Sequence, residues 1–232
     1  MKIIILCGGL GSRLGDETKR IPKPMVKIGS MPILEHIMQI YIKNGFDDFI
    51  LATGYKHNII KKHFSKNKKF KKVKIINTGE KSLTGRRLHR LKKFLNNEKM
   101  FMLTYGDGLT NQKIKNLIKF HKQSGKIATL TAVRPPVRFG EIKLKRSKVL
   151  EFAEKPQAKN GWINGGFFVF DQKIFNFIDD SNVMLETKPM QKLLKKNELN
   201  AYKHYGEWQC MDTAREKKLL NEMYKRKKHF WR

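Results

Sequence analysis

Two hydrophobic periods alternate along the chain. Ile3 to Leu6 is a short, unbroken, mostly β-branched run that stops at glycines, the pattern of a buried strand. Phe49–Ala52, Lys72–Ile76 and Met100–Tyr105 read as strands in the same way. Between them the apolar residues return at helical spacing. Ile33, Ile37, Ile40 and Tyr41 mark a helix over Pro32–Asn44, with Pro32 suited to its first turn and Gly45 to its stop. Tyr55–Phe64 is a second helix. Leu88, Leu91 and Leu95 form the apolar side of a third, entered through Ser82, Leu83, Thr84 and Gly85. This strand–helix alternation predicts a parallel sheet covered by helices.

The second half is less regular. The pattern predicts a helix over Ile114–His121 and a strand over Ile127–Val133. A turn and short strand follow in RPPVRFGEI, then a strand over Val149–Glu154. Trp162–Phe170 is a strand interrupted by glycines. Helices near Gln172–Ile178 and Thr187–Lys196 precede a strand near Ala201–His204, and a last helix begins after Asp212. With no internal repeat, low-complexity tract or linker, the expectation is one domain spanning 1–232. Its class is α/β, with a Rossmann-like, mostly parallel mixed sheet flanked by helices.

Composition narrows the setting. The 232 residues, 40% hydrophobic and 10% aromatic, suffice for a folded domain with a sizeable core. No apolar run approaches the ~20 residues of a membrane-spanning helix. Met1-Lys2 leads straight into the first strand, so the start is not read as a cleavable signal peptide. Cys7 and Cys210 give neither a disulfide framework nor a metal spacing, and point to a reducing cytoplasm. The seven histidines are scattered. The net charge of +30 invites a nucleic-acid or membrane reading, most of all in the run Lys61–Lys74. Lysine is nevertheless spread over nearly every predicted element, and no zinc-finger or RNP-type signature accompanies it. The charge reads as solvated faces, with weak, salt-sensitive binding to polyanions as its consequence.

Candidate chemistry gathers at strand ends. Gly8, Gly9 and Gly11 follow the first strand at once, then Ser12 and Arg13. Glycines there allow a tight turn that aims several N–H groups at an anion, and Arg13 offers a planar guanidinium for phosphate oxygens. Lys23 stands between Pro22 and Pro24, which stiffen the backbone that presents it. The segment is not a P-loop, because no Gly-Lys-Ser/Thr follows. It is not a dinucleotide fingerprint either, because Leu14 occupies the place of the third glycine.

Asp107, between Gly106 and Gly108, lies at the carboxyl end of a strand, where open sheets bind ligands; a plain turn aspartate fits equally. Asp212 is either a second carboxylate of the site or, with Thr213 beside it, the N-cap of the last helix. Two carboxylates near a triphosphate suit Mg²⁺, whose shell phosphate oxygens complete. Glu154-Lys155-Pro156 is a fixed cation or an exposed turn. Asn164-Gly165-Gly166 is a sugar-binding element or a bulge.

The segment GGLGSRL with PKPM after it resembles the signature of the sugar nucleotidyltransferases. SLTGRRL, TYGDG, ATLTAVRPPVRFGEI, EKP, INGGFFVF and WQCMDTAR follow in the order and approximate spacing of that family's branch acting on CTP and glucose 1-phosphate. The resemblance covers nearly the whole chain and implies a GT-A-like nucleotidyltransferase architecture. The part to about residue 110 would bind the nucleotide, and the part from about 111 the sugar phosphate. It implies that Leu6, Gly8, Gly9, Gly11, Ser12, Arg13, Lys23, Ser82, Arg87 and Gly106 hold CTP. Lys23, Arg13 and Asp107 would carry the catalysis, and Asp107 and Asp212 would bind Mg²⁺. Glu154, Lys155, Asn164 and Gly165 would receive the sugar 1-phosphate.

Two positions depart from the pattern. Arg86 stands where the family's base-binding turn has glycine, adding bulk and charge that predict a shifted loop or a different cytosine pocket. The stretch before SLTG is short, so the homo-oligomer the resemblance implies would meet through a reduced arm around Lys61–Lys74. The competing readings are transfer to a different phosphorylated acceptor, and a non-catalytic nucleotide- or polyanion-binding protein. The joint presence of Lys23, Asp107, Asp212 and Lys155 favours the enzyme.

Overall fold

The computed structural model describes residues 1–67, 69–135, 141–153 and 161–231. The first half runs β1 (Ile3–Cys7), α1 (Asp16–Arg20), β2 (Lys27–Ile28), β3 (Met31–Pro32), α2 (Ile33–Lys43), β4 (Asp48–Thr53), α3 (His57–Lys66), β5 (Lys72–Asn77), α4 (Thr84–His89) and β6 (Met100–Tyr105). The second runs β7 (Gly108–Thr110), α5 (Ile114–Ser124), β8 (Ala128–Val133), β9 (Glu141–Lys145), β10 (Lys148–Ala153), β11 (Ile163–Asp171), α6 (Lys188–Lys195), β12 (Leu199–His204), β13 (Trp208–Cys210) and α7 (Ala214–Lys225).

Among the described residues, seven strands from both halves form one sheet in the order β12-β8-β11-β6-β1-β4-β5. β1 pairs in parallel with β4 and β6, β4 with β5, and β8 with β12. β11 alone runs against its neighbours, antiparallel to both β6 and β8. This mixed, mostly parallel layout matches the class the sequence predicts. It has a direct consequence for chemistry. The carboxyl ends of β1, β4, β6 and β8 share one edge with the amino end of β11, so Gly8, Tyr105 and Asn164 approach from three strands.

β1 shows why the strands read as continuous apolar runs. Ile3, Ile5 and Cys7 join the core on one face, with Ile33, Ile37 and Leu117. Ile4 and Leu6 join the core on the other, with Leu88, Leu91 and Leu193. Helices cover both faces, so both sets of alternate side chains need to be apolar. Each such buried side chain stabilises the fold by about 1.5–3 kcal/mol.

Two segments differ from expectation. The helix read through Leu95 breaks into α4 and a 3₁₀ turn at Lys92–Phe94, because bonds from Leu91 N–H to Leu88 O and from Phe94 N–H to Leu91 O tighten the winding. Gln172–Asn176 is likewise 3₁₀, started by the Asp171 carboxylate accepting from Lys173 N–H at 2.8 Å. Apolar spacing over so few residues does not separate the two windings. The turn in RPPVRFGEI, at 136–140, lies outside the described residues.

Candidate active site

The glycine loop leaves β1 and closes into a single 3₁₀ turn at Ser12–Leu14, with Leu14 N–H bonded to Gly11 O at 3.0 Å. Gly11 takes φ +67°, and a Cβ there would lie 2.7 Å from the Cβ of Lys23. Glycine therefore lets the loop lie directly against the lysine. Pro22 opens the short turn Lys23–Met25, where Met25 N–H bonds to Pro22 O at 2.8 Å. The turn fixes the lysine backbone, as its flanking prolines suggest.

Two aspartates meet at Lys23. Its Nζ donates to Asp107 Oδ2 at 2.5 Å and to Asp212 Oδ1. The other oxygen of Asp212 is 3.0 Å from Arg13 Nη1. A small ribbon makes the meeting possible. β7 pairs antiparallel with β13, Gly108 opposite Cys210, and Met211 N–H donates to Asp107 O at 2.9 Å. Asp107 precedes one strand of the ribbon and Asp212 follows the other, so residues 105 positions apart become neighbours. Asp212 is not the helix cap. Thr213 takes that role, its hydroxyl accepting from Glu216 N–H while the Glu216 carboxylate accepts from Thr213 N–H. The Asp212 side chain is left for the site.

Electrostatics keeps Lys23 charged. Burial works against the charge of Lys23, but Asp107 and Asp212 outweigh it and hold its pKa above the ordinary lysine value. Two partly exposed carboxylates converging on one cation have the donor chemistry of a divalent ion's half-shell. The thiols take no comparable part. Cys7 and Cys210 are free, and burial pushes Cys210 up to about 12.

These groups line a cleft of about 490 Å³. β1 contributes Leu6 to its wall, the glycine loop Gly8, Gly9, Gly11, Ser12 and Arg13, and Lys23, Gly106, Asp107 and Asp212 add theirs. A Cβ on Gly106 would lie 2.8 Å from Leu6 O, so this turn sits flush against β1. Ser82 and Arg87 also line the cleft. Both are spoken for within the protein. Ser82 Oγ donates to Thr78 O at 2.6 Å. Arg87, 3% exposed, donates to Thr53 O, Thr78 Oγ1, Gly8 O and Glu80 O at 2.8–3.1 Å. Its guanidinium is thus the floor on which the glycine loop rests. A Cβ on Gly8 would lie 2.0 Å from Arg87 Nη1.

β11 carries two of the residues expected to meet the acceptor. Asn164 and Gly165 lie at its amino end, beside Tyr105 of the cleft wall. Asn164 Nδ2 donates to Tyr105 Oη at 3.1 Å, and Trp208 Nε1 donates to Gly165 O at 2.8 Å. Glu154 and Lys155 lie outside the described residues.

Arg86 stands clear of the cleft. Its guanidinium turns away from the cleft, with Nε donating to Asp180 O at 2.6 Å and lying 3.7 Å from the Asp180 carboxylate, which His89 and Arg90 also approach. It is absent from the cleft wall, so the bulk expected beside a base is elsewhere. The sequence reading missed Tyr105, which sits inside the TYGDG motif without an assigned role. It also missed Glu186, whose segment carries no periodic signal.

A glycine loop at the carboxyl edge of an open, mostly parallel sheet, facing a lysine and two carboxylates, defines an α/β protein built to handle phosphate groups. The chain belongs to the nucleotidyl transferase family, whose model it matches over residues 2–227. The glucose-1-phosphate cytidylyltransferases of Salmonella typhimurium and Salmonella typhi are each 40% identical to it over 254 aligned residues, covering 100% of this chain and 99% of each relative. HddC from Yersinia pseudotuberculosis, solved with GMP-PN, shares the fold at a TM-score of 0.74 and 24% identity, covering 96% of this chain and 99% of that one. Among the described residues no helix is long and apolar enough to cross a membrane.

Proposed function

We propose that this protein joins CTP to glucose 1-phosphate, giving CDP-glucose and pyrophosphate. The chemistry rests on one observation, the convergence of Lys23, Asp107, Asp212 and Arg13 at the mouth of the glycine loop. The choice of substrates follows the full-length likeness to enzymes of that name.

An anionic oxygen of the sugar 1-phosphate attacks the α-phosphorus of CTP. A new P–O bond forms in line with the bond that breaks, and pyrophosphate carries away the electron pair. The nucleophile is already ionised, so the site needs no general base and no covalent intermediate. What it must do is hold two polyanions together and neutralise the leaving group. N–H groups of the loop from Gly8 to Ser12 take the CTP phosphates. Arg13 and Lys23 offset the charge that develops on pyrophosphate. Arg87 keeps the loop in place from below, and Ser82 and Gly106 border the nucleoside. Asn164 and Gly165 meet the sugar, with Glu154 and Lys155 assigned to the incoming phosphate by family likeness.

Asp107 and Asp212 would hold Mg²⁺, which supplies charge neutralisation and alignment of the phosphate oxygens when bound. A cytoplasmic setting and a homo-oligomer belong to the same proposal. Chromatography of a reaction with CTP, glucose 1-phosphate and Mg²⁺ tests the reading: CDP-glucose and pyrophosphate appear in equal amounts. Folded protein that binds CTP but forms no CDP-glucose sends the search to another acceptor.

A further inference from the structure

A continuous run of hydrogen bonds crosses the cleft wall from the turn at 82–87 to β11. The segment 180–187 lies along that turn. Leu83 N–H donates to Asn182 Oδ1 at 2.9 Å, Gly85 N–H to Val183 O at 3.1 Å, and Leu185 N–H to Thr84 Oγ1 at 2.8 Å. The Thr84 hydroxyl in turn donates to Glu186 Oε2 at 2.7 Å. The other carboxylate oxygen, Glu186 Oε1, accepts from Tyr105 Oη. Asn164 Nδ2 donates to Tyr105 Oη, and Gly166 N–H donates to Asn164 Oδ1 at 2.9 Å.

The polarity of this run is set at one point. A carboxylate only accepts, so Glu186 draws both the threonine and the tyrosine protons toward itself. The phenol oxygen is then left as an acceptor for the Asn164 amide. That fixes which end of the amide faces Tyr105 and which faces Gly166. Packing holds the phenol at this spot. Gly166 takes φ +78°, and a Cβ there would lie 2.5 Å from the Tyr105 ring, which also meets Phe168 edge-on at 5.7 Å.

We propose that Tyr105 and Glu186 are positioning residues for the acceptor: Glu186 orients the phenol, the phenol orients the Asn164 amide, and the acceptor-side end of β11 is thereby registered to the 82–87 turn. The inference rests on the reading of Asn164 as a contact of the sugar phosphate. Tyr105→Phe keeps the ring and removes both hydrogen bonds. Glu186→Gln keeps the shape, yet its amide cannot accept from both hydroxyls.

Steady-state kinetics with each substrate varied, alongside calorimetry of CTP, tests this. Both variants raise KM for glucose 1-phosphate by about tenfold, the scale of one lost hydrogen bond, while the Kd for CTP stays within about twofold. The double variant Tyr105→Phe/Asn164→Ala is no worse than Asn164→Ala alone, because the phenol acts through the amide. A merely structural role would weaken CTP and the acceptor together, and that result overturns the inference. So does an unchanged acceptor KM in both variants, or additive losses in the double variant. Wild-type protein that forms no CDP-glucose overturns the underlying reading, and the inference with it. If Tyr105→Phe does not fold, Glu186→Gln decides by the same KM-against-Kd split.

Discussion

Lys23 is a cation held by two anions, 13% exposed and fixed by a turn that proline starts. Its raised pKa keeps it charged throughout the neutral range, and the stability it adds is lost only as pH rises through a value above 10.5. Replacing it leaves two carboxylates facing one another and nothing to meet the leaving group. Lys23→Ala is expected to lower turnover roughly tenfold or more, the order of a lost transition-state contact. A stopped assay on protein with an unchanged circular dichroism spectrum checks this. Arg87 acts differently, since its fork serves three carbonyl oxygens and one hydroxyl. Lysine offers one compact ammonium in place of that fork, so Arg87→Lys is expected to weaken CTP binding by about tenfold, read by calorimetry. At this scale the sequence was legible wherever glycine or proline punctuates a site. The loop, Lys23 and Asp107 follow from such signals. The choice between cap and site at Asp212 does not, because either role suits an aspartate before a helix; the neighbouring Thr213–Glu216 box decides it. Tyr105 and Glu186 stayed hidden because their bond joins residues 81 positions apart in segments without a shared pattern.

Among elements, strands buried on both faces were legible as apolar runs, and long helices as apolar stripes. The three-residue strands β7 and β13 were not, although they bring Asp107 and Asp212 together, since three residues carry no period. The reversed direction of β11 was equally hidden: an apolar strand reads alike in either direction. The edge strand β5 carries Lys72 and Lys74, and Lys74 Nζ lies 4.4 Å from the Phe94 ring centroid, so a charged side chain guards an otherwise open edge. Helix α5 docks on β8 through buried His121, whose Nδ1 is 2.9 Å from Thr129 Oγ1. Burial lowers the pKa of His121, and that of His204 on β12, below the ordinary 6.5. The unfolded chain then binds protons that the folded one refuses. Stability is therefore full above about pH 6.5 and falls as pH drops below it. Calorimetric melting from pH 8 to pH 5 should show the fall, and His121→Gln should make it shallower.

For the whole molecule, charge and site act at different ranges. A net charge of +30 lies mostly on exposed lysines far outnumbering the acidic groups. Such a surface attracts any polyanion without reading it. Retention on immobilised DNA should be sequence-independent and lost as salt rises toward a few hundred millimolar, about the range over which counterion release removes such binding. Catalysis should outlast that retention, because the proposed phosphate site relies on oriented N–H groups and partly buried charges, which salt screens less.

The most direct test of the account is pyrophosphate release with Mg²⁺ across CTP, UTP, ATP, GTP and dTTP, each with and without glucose 1-phosphate. Release confined to CTP with glucose 1-phosphate is expected, with Arg86 bound to Asp180 and off the cleft wall. Release with another nucleotide in preference to CTP, or none with any pair from folded protein, would contradict it.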